Sequence, residues 1–314
     1  MTATIDAGSP ADAVPERVRR APSWRIGTPF ILLHVAVVGV IFVGWSWLAL
    51  AVCALSYLAR TFAITAFYHR GLSHRAFRTS RFVQFCGASI GASAAQRGPL
   101  WWVAHHRAHH RSTDRPGDPH SPVVDGFARS HLLWMFADAN QPVDQAVVAD
   151  LTRYRELRLL DRYHHAAPAA LAAATLAAGT VVGRVDPGSG VTGPQLLVWG
   201  FCVSTVLLWH STFAVNSVAH RFGRRRFDTR DDSRNLWWLA LLTMGEGWHN
   251  NHHRYPASAR QGLARHELDP SWWLIRVMAR LKLARDVREA PTWSREPRPS
   301  APLTLSASGG PVRR

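Results

Sequence analysis

Histidine is the residue type that could do the most chemistry in this sequence. The chain has 17 histidines in 314 residues, and many of them fall in three clusters. The second cluster (residues 106–110) and the third (residues 249–253) both carry imidazoles at i, i+3 and i+4, which places three side chains on one side of a helix. In the first cluster, His69 and His74 lie five residues apart. Gly71 between them can end a helix, so we expect the two rings to converge.

The three clusters predict a site for two metal ions. They offer eight imidazoles, with no cysteine or carboxylate inside any cluster, whereas a zinc site uses three or four ligands. Imidazole suits zinc, copper, iron and nickel, and an all-nitrogen site for two ions in a membrane protein favours iron that activates O2. Packed imidazoles without a metal would only oppose one another's protonation. Six histidines outside the clusters are predicted to be ordinary surface or core residues: His34, His131, His164, His165, His210 and His266.

Four apolar stretches are the elements that must position these histidines. They cover residues of about 28–45, 47–67, 166–185 and 195–215, close to the roughly 20 residues that a helix needs to cross a bilayer. We therefore predict an all-α integral membrane protein with four transmembrane helices. Arg60 lies inside the second stretch, where a charge is costly unless it faces protein or reaches a headgroup. Residues 82–95 are too short to span and predict an interfacial or re-entrant helix.

Arginine placement predicts the orientation of these helices. The link between the first two stretches has no lysine or arginine, and the link between the last two has only Arg184. The N-terminal, middle and C-terminal segments are rich in arginine, which marks cytoplasmic segments. We expect two hairpins in a bacterial inner membrane, with both termini and the middle segment in the cytoplasm. The clusters would then lie in one cytoplasmic helical cap that carries the two-metal site.

Composition narrows the partners and the domain boundaries. The formal net charge of +16 and the pI of about 11.3 favour a polyanionic partner. Four spanning stretches exclude nucleic acid and leave membrane lipids or a phosphorylated ligand. Residues 1–24 and 290–314 are predicted to be disordered tails around a membrane domain of residues 25–289. Cys53, Cys86 and Cys202 are not paired at disulfide or metal spacing, so they predict neither a disulfide framework nor an iron–sulfur cluster.

The order of the clusters, HxxxxH, HxxHH and HxxHH, resembles the membrane fatty-acid desaturase superfamily, and within it the stearoyl-CoA Δ9 branch. Flanking residues 117–120, 216–220 and 245–250 strengthen this resemblance, which runs from about Pro29 to Asp286. The resemblance implies two iron ions and a ninth histidine ligand after the fourth spanning helix. The predicted ligands are His69, His74, His106, His109, His110, His220, His249, His252 and His253.

The resemblance also assigns roles to residues beside the ligands. It implies that Asn216 holds a water ligand, and Glu246 is a candidate for orienting the imidazoles. His105, one residue before the second cluster, is expected to stay outside the ligand set. His120 is expected to be a structural or substrate-side residue.

The implied function is O2-dependent insertion of a cis double bond, at Δ9, into a saturated acyl-CoA. No catalytic side chain is expected beyond the metal ligands. A separate ferredoxin-like carrier or NAD(P)H-dependent reductase would supply electrons, because the chain has no haem-domain signature and no cysteine set. An acyl-lipid desaturase and a related hydroxylase are alternatives, and a membrane metal transporter is the alternative from another class. Arginine suits the phosphates of acyl-CoA, and the candidates are Arg70, Arg75, Arg78, Arg97 and Arg111.

Overall fold

The computed structural model describes residues 21–292, and the chain is mostly helical. Two π-helical segments, Ala63–Ser73 and Val198–Val203, continue longer helices, and two short antiparallel strands, β1 (Arg78–Thr79) and β2 (Ala284–Arg285), pair with each other. Short 3-10 turns cover Leu133–Phe136, Asp138–Asn140 and Pro187–Ser189. The α-helices are α1 (Trp24–Val37), α2 (Val40–Val43), α3 (Trp47–Phe62), α4 (Arg81–Ala92), α5 (Pro99–Ser112), α6 (Phe127–His131), α7 (Ala149–Thr152), α8 (Arg155–Arg162), α9 (Ala166–Val185), α10 (Gly193–Leu197), α11 (Ser204–Ser217), α12 (Trp237–Leu242), α13 (His249–Arg254) and α14 (Pro270–Arg280).

The predicted tails fall largely on residues 1–20 and 293–314, which lie outside the described residues. Residues 21–24 of the predicted N-terminal tail lie within the described part of the chain. The Ser23 N–H donates to the carbonyl of Phe136 at 2.8 Å, and α1 begins directly after it. At the other end, Ala290 is buried and its N–H donates to Ser258 Oγ at 3.0 Å. Both ends of the described chain therefore make backbone contacts with the domain.

Within residues 21–292, four helical spans are long and apolar enough to cross a membrane, as the sequence predicts. The second span ends later than expected, because the π-helical segment carries it past residue 67 to Ser73 and includes His69. The first span is divided by a short turn between α1 and α2. In chain order, the four spans are Trp24–Val43, Trp47–Ser73, Ala166–Val185 and Gly193–Ser217.

Arg60 in the second span is held by protein rather than by lipid. Its side chain is buried, and its guanidinium donates to Ser204 Oγ and to Thr205 Oγ1, both at 2.6 Å. It also donates to the carbonyls of Ser56 and Ser93, at 3.0 and 3.3 Å. Hydrogen bonds of this kind compensate a charge removed from water. Arg60 thereby joins the second span to the fourth span and to the end of α4.

The helix α4 is the short fifth apolar helix that the sequence predicts. Ser80 caps it by accepting from the Val83 N–H at 3.3 Å. A Cβ atom on Gly87 would lie 2.3 Å from the Phe67 ring, so glycine lets α4 approach the second span closely. The main core lies where α4, α5, α8 and the second and fourth spans meet. Its buried side chains include Ile64, Tyr68, Leu72, Leu100, Val103, Leu157, Leu208, Trp209 and Phe213.

Candidate metal centre

The first histidine cluster lies at the end of the π-helical segment. The sequence-based expectation that Gly71 ends the helix is wrong, since the segment continues to Ser73. In a π-helix each N–H bonds to the carbonyl five residues earlier, and here the His74 N–H donates to the His69 carbonyl at 3.2 Å. Residues five apart therefore lie on the same side of this helix. The two imidazole ring centroids are 4.9 Å apart.

The second and third clusters lie on α5 and α13, as their i, i+3, i+4 spacing predicts. Each cluster divides its imidazoles between two groups. The ligand atoms of each group lie within 4.8 Å of one another. The five-histidine group contains His69, His74, His106, His110 and His252. The four-histidine group contains His109, His220, His249 and His253. The structure thus brings all nine predicted histidines together, with His220 contributed by the residues after the fourth span.

Within both groups the Nε2 atoms face one another at short range. Neighbouring donors about 2.1 Å from one ion and at right angles to each other would be about 3.0 Å apart. The observed Nε2–Nε2 separations are 2.7 Å for His74–His106, 3.0 Å for His69–His252, 3.0 Å for His110–His252, 2.9 Å for His220–His249 and 3.1 Å for His249–His253. These separations match ligands that share an ion.

Carboxylates fix the tautomers in the four-histidine group. His109 Nδ1 donates to Asp118 at 3.0 Å, and His220 Nδ1 donates to Asp114 at 2.8 Å. Each carboxylate holds the proton on Nδ1 and leaves a lone pair on Nε2, as in carboxylate–histidine–metal arrangements. Two such lone pairs cannot hydrogen-bond to each other. His109 Nε2 is buried and has no hydrogen-bond partner. Converging lone pairs of this kind fit a metal cation.

Two more carboxylates orient imidazoles in the same way. Asp231 accepts from His253 Nδ1 at 3.0 Å. Glu246, predicted to orient ligands, contacts His69 Nδ1 and also pairs with the buried guanidinium of Arg70. Both groups therefore contain imidazoles whose Nδ1 is engaged and whose Nε2 faces the other ligands.

Burial favours the neutral form of four of these imidazoles. It lowers the pKa of His106, His110, His249 and His252 well below the ordinary value, and the neighbouring imidazoles lower it further. Burial opposes ionisation of Asp114, yet the hydrogen bond that His220 donates lowers the pKa of that carboxyl to about 2. Neutral imidazole is the form that binds a metal ion. The lowered pKa values of these four imidazoles therefore favour metal binding.

Sequence reasoning missed the three aspartates of this centre. The clusters contain no carboxylate, so none was sought beside them. Asp114 and Asp118 follow α5 within a few residues, and Asp118 belongs to the quoted element 117–120, so a search of the flanks could have found them. Asp231 lies 22 positions before His253 in a long loop. No spacing in the sequence signals that contact.

A small cavity lies beside the histidine groups, between the second and fourth spans. Its volume is about 50 Å³, and Asn216, the predicted water-holding residue, is part of its lining. Its walls combine apolar and hydroxyl side chains with four of the grouped histidines. The lining residues are Thr61, Ile64, Thr65, His69, Trp102, His106, His109, Thr212, Val215, Asn216, Thr243, Glu246 and His249.

The two histidines left outside the ligand set occupy different positions. His105 lies in neither group, and its Nδ1 contacts the Trp101 carbonyl at 2.8 Å. His120 is buried and stacks on His109, with ring centroids 4.4 Å apart. His109, His120 and Asp118 together make a third potential ligand set. Burial and the neighbouring His109 lower the pKa of His120 to about 3. His120 packs against the centre, while His105 packs away from it.

Three of the histidines predicted to be ordinary are not isolated. His34 and His210 approach each other to 3.0 Å between Nε2 atoms. His210 Nδ1 is in turn 3.0 Å from His131 Nε2, and His131 Nδ1 lies 2.9 Å from Ser217 Oγ. These four residues form one hydrogen-bonded row from the first span, across the fourth span, to α6.

The five arginines predicted to contact substrate phosphates differ in their surroundings. Arg70 requires a correction: it is buried, and Glu246 and Asp269 accept from its guanidinium at 3.0–3.1 Å. No substrate phosphate can reach it. Arg97 is partly buried, donates to Gln141 and lies over the Trp101 ring. The remaining three are exposed: Arg75, Arg78 and Arg111.

Comparison with known proteins agrees with this geometry. A family model described as fatty acid desaturase matches residues 45–286. An acyl-CoA 5-desaturase of Anemone leveillei is 35% identical over 299 residues, which cover 89% of this chain and 87% of that protein. An sn-2 palmitoyl-lipid 9-desaturase of Nostoc sp. (strain 36) is 39% identical over 255 residues, covering 80% and 84%. An sn-1 stearoyl-lipid 9-desaturase of Synechocystis sp. is 34% identical over 293 residues, covering 93% and 86%.

The chain belongs to the fatty acid desaturase family. This confirms the superfamily inferred from the three histidine motifs, while the relatives include proteins named for acyl-CoA and for acyl-lipid substrates. Family membership implies an oxidoreductase that uses a fatty acyl substrate, O2 and an electron donor. With four apolar spans, the protein is a membrane protein.

Proposed function

We propose that this chain is an O2-dependent desaturase that holds one iron ion in each histidine group and inserts a cis double bond, at Δ9, into a saturated acyl-CoA. The observation that carries the proposal is the convergence of nine imidazoles on two points beside a cavity. Imidazole-only ligand sets fit iron. No other described cluster combines this many ligands with an adjoining cavity.

The reaction removes one hydrogen from each of two neighbouring methylenes. The balance is substrate, O2, two electrons and two protons on one side, and the alkene with two waters on the other. Iron, when bound, supplies the oxygen activation needed to break unactivated C–H bonds, which no side-chain acid or base can do. The carboxylates Asp114, Asp118, Asp231 and Glu246 keep the imidazole lone pairs directed inward.

The cavity would position the reacting methylenes and exclude water. Ile64 and Val215 provide apolar surface, and Trp102 closes the side next to His106. The Thr212 hydroxyl is held by Gln96, whose Nε2 donates to it at 3.1 Å. Holding the acyl chain in one pose keeps the same two carbons beside the metal site, so the reaction occurs at defined positions. We place the selected carbon pair against the wall formed by His69, His106, His109 and His249.

Acyl-lipid chains are the second candidate substrate. The Nostoc and Synechocystis relatives are named for palmitoyl-lipid and stearoyl-lipid substrates, whereas the Anemone relative is named for acyl-CoA. For an acyl-CoA, the exposed Arg111 at the end of α5 is our proposed phosphate contact, since Arg70 is buried. Membranes that contain the protein should be supplied with labelled stearoyl-CoA and, separately, with labelled stearoyl-lipid. Labelled unsaturated product should appear earlier from the substrate that the enzyme uses directly.

The decisive test of the reaction is product analysis in a desaturase-deficient host. Gas chromatography should show a new cis-Δ9 fatty acid after expression of the chain, and purified protein should contain about two irons per chain. His109→Ala and His252→Ala should each abolish the product and lower bound iron. A product that carries a hydroxyl group would indicate a hydroxylase. Absence of both iron and new fatty acids would refute the proposal.

A further inference from the structure

A second, outward-facing cavity of about 590 Å³ lies against the first histidine cluster. Its walls include Phe67, Gly71 and Leu72 of the second span, the strand β1, Arg285 of β2, and four residues between 150 and 154. Its lining shares no residue with that of the small cavity beside the histidine groups. The charged residues of this arginine cavity are Arg75, Arg78, Arg153, Arg285, Arg288 and Asp150.

The arginine cavity is strongly cationic. Its lining holds five arginines against the single carboxylate of Asp150, a formal excess of four positive charges. Asp150 is already engaged by Arg75 at 2.8 Å and by Arg107 at 2.7 Å. Arg78 pairs with Asp286 at 3.5 Å, yet the side chains of Arg75 and Arg78 are 61% and 70% exposed, so both guanidinium groups reach solvent. A surface of this kind attracts and orients an acidic partner.

A single residue, Ser73, separates the lining residue Leu72 from His74 of the five-histidine group. Gly71 and Leu72 line the cavity, and His74 follows directly after Ser73. Arg107 fixes this wall, because it donates to the carbonyls of Leu72 and Ser73 at 2.8 and 3.1 Å. A partner bound in the cavity would therefore lie against the backbone that carries a ligand imidazole.

We propose that the arginine cavity is the docking site of an acidic one-electron carrier protein, which delivers electrons toward the five-histidine group past His74. The inference rests on the proposed function, whose balance requires two electrons that the acyl chain does not supply. The three cysteines are free and lie far apart in the chain, so they offer no cluster to deliver those electrons. The carrier class is a plant-type [2Fe–2S] ferredoxin with an acidic surface.

The test is binding of such a ferredoxin to the detergent-solubilised full chain. Wild-type protein should bind it at low salt and lose affinity as salt rises. The double variant Arg153→Glu/Arg285→Glu should weaken binding about tenfold or more, and Arg153→Lys/Arg285→Lys should keep it. Arg265→Glu, an exposed charge outside the cavity, is the matched control and should stay within about twofold. No salt-sensitive binding by wild-type protein would overturn the proposal.

Electron delivery is measured separately from desaturation. Stopped-flow reduction of iron-loaded protein by reduced ferredoxin should slow in the double glutamate variant, whereas reduction by methyl viologen radical, which needs no docking, should not. Equal losses with both reductants would mean that the centre is damaged and would overturn the assignment. Short-chain phosphatidylglycerol is the competing ligand: loss of its binding with ferredoxin binding intact would assign the cavity to lipid phosphate. Failure to form product leaves these readouts unaffected, so the two proposals fail separately.

Discussion

Asp118 accepts from His109 Nδ1 and from the backbone N–H groups of Asp114 and His120. These three donors fix its carboxylate, which in turn aims His109 Nε2 at the other ligands. Asp118→Asn should therefore lower iron affinity by about 10- to 100-fold, the usual effect of losing a partner of a ligand histidine. Iron titration of metal-free protein would measure this, with the exposed Asp138→Asn as control. Unchanged affinity would remove the orienting role of Asp118.

The ligand histidines also predict how the metal-free protein responds to acid. Burial lowers the pKa of His253 to about 4, although Asp231 raises it, while an unfolded histidine titrates near 6.5. Between these values the unfolded chain binds more protons than the folded chain, so stability falls as pH drops below about 6.5. The melting temperature of metal-free protein should be flat from pH 8 to 7 and decline toward pH 5. His253→Gln should reduce the decline, and the exposed His266→Gln should not.

At the scale of single residues, the convergence of the eight clustered histidines was predictable from the sequence. His220 was predicted only through the family resemblance, and the aspartate partners were not predicted. Histidine clusters are readable because their spacing is local, at i, i+3 and i+4. The contact between Asp231 and His253 depends on how a loop folds back over α13, which no local pattern encodes. Arg70 was misassigned for a similar reason. Its sequence neighbours suggest a surface turn, yet Glu246 and Asp269 from distant segments bury its charge.

The π-helical end of the second span is the element that brings the first cluster together. An α-helix would set residues five apart on different faces, whereas the i to i+5 bonding here aligns His69 with His74. The hydrophobic pattern predicted that a helix spans the membrane here. It could not predict the wider turn, because π-helical and α-helical backbones differ by the hydrogen bonds they form rather than by the residues they favour.

Gly71 offers a test of this element. A Cβ atom there would lie 3.0 Å from the Ala66 carbonyl oxygen and 3.3 Å from the Phe77 ring. Gly71→Val should thus displace the end of the second span, destabilise the protein by about 1–3 kcal/mol and reduce bound iron from two toward one per chain. Metal analysis and thermal melting would measure these effects. Gly188→Val, in a link where a Cβ meets only ordinary contact, should change neither. Full iron content in Gly71→Val would show that the turn is not needed.

Across the whole molecule, the centre is assembled from four separate pieces of chain. The second span supplies His69 and ends just before His74, and α5 supplies three candidate ligands. The residues after the fourth span supply His220, and α13 supplies three more candidates. Apolar spans of about the right length and position could be predicted because membrane-crossing helices demand long apolar runs. The division of the second and third clusters between the two groups could not be predicted, because it depends on how α5 and α13 pack against each other.

The orientation of the four spans is the remaining property of the whole molecule that the arginine distribution predicts. Single cysteines should be introduced at Gly188, in the link between the third and fourth spans, and at Arg265, in the C-terminal segment, after Cys53, Cys86 and Cys202 are replaced by alanine. A membrane-impermeant maleimide applied to intact bacterial spheroplasts should label Gly188→Cys. It should label Arg265→Cys only after the membrane is opened, because the arginine-rich segments stay in the cytoplasm. Formation of the unsaturated product by both variants would show that both are correctly folded. Labelling in the reverse order would place the metal centre on the outer side, away from cytoplasmic electron carriers, and would exclude the docking site proposed above.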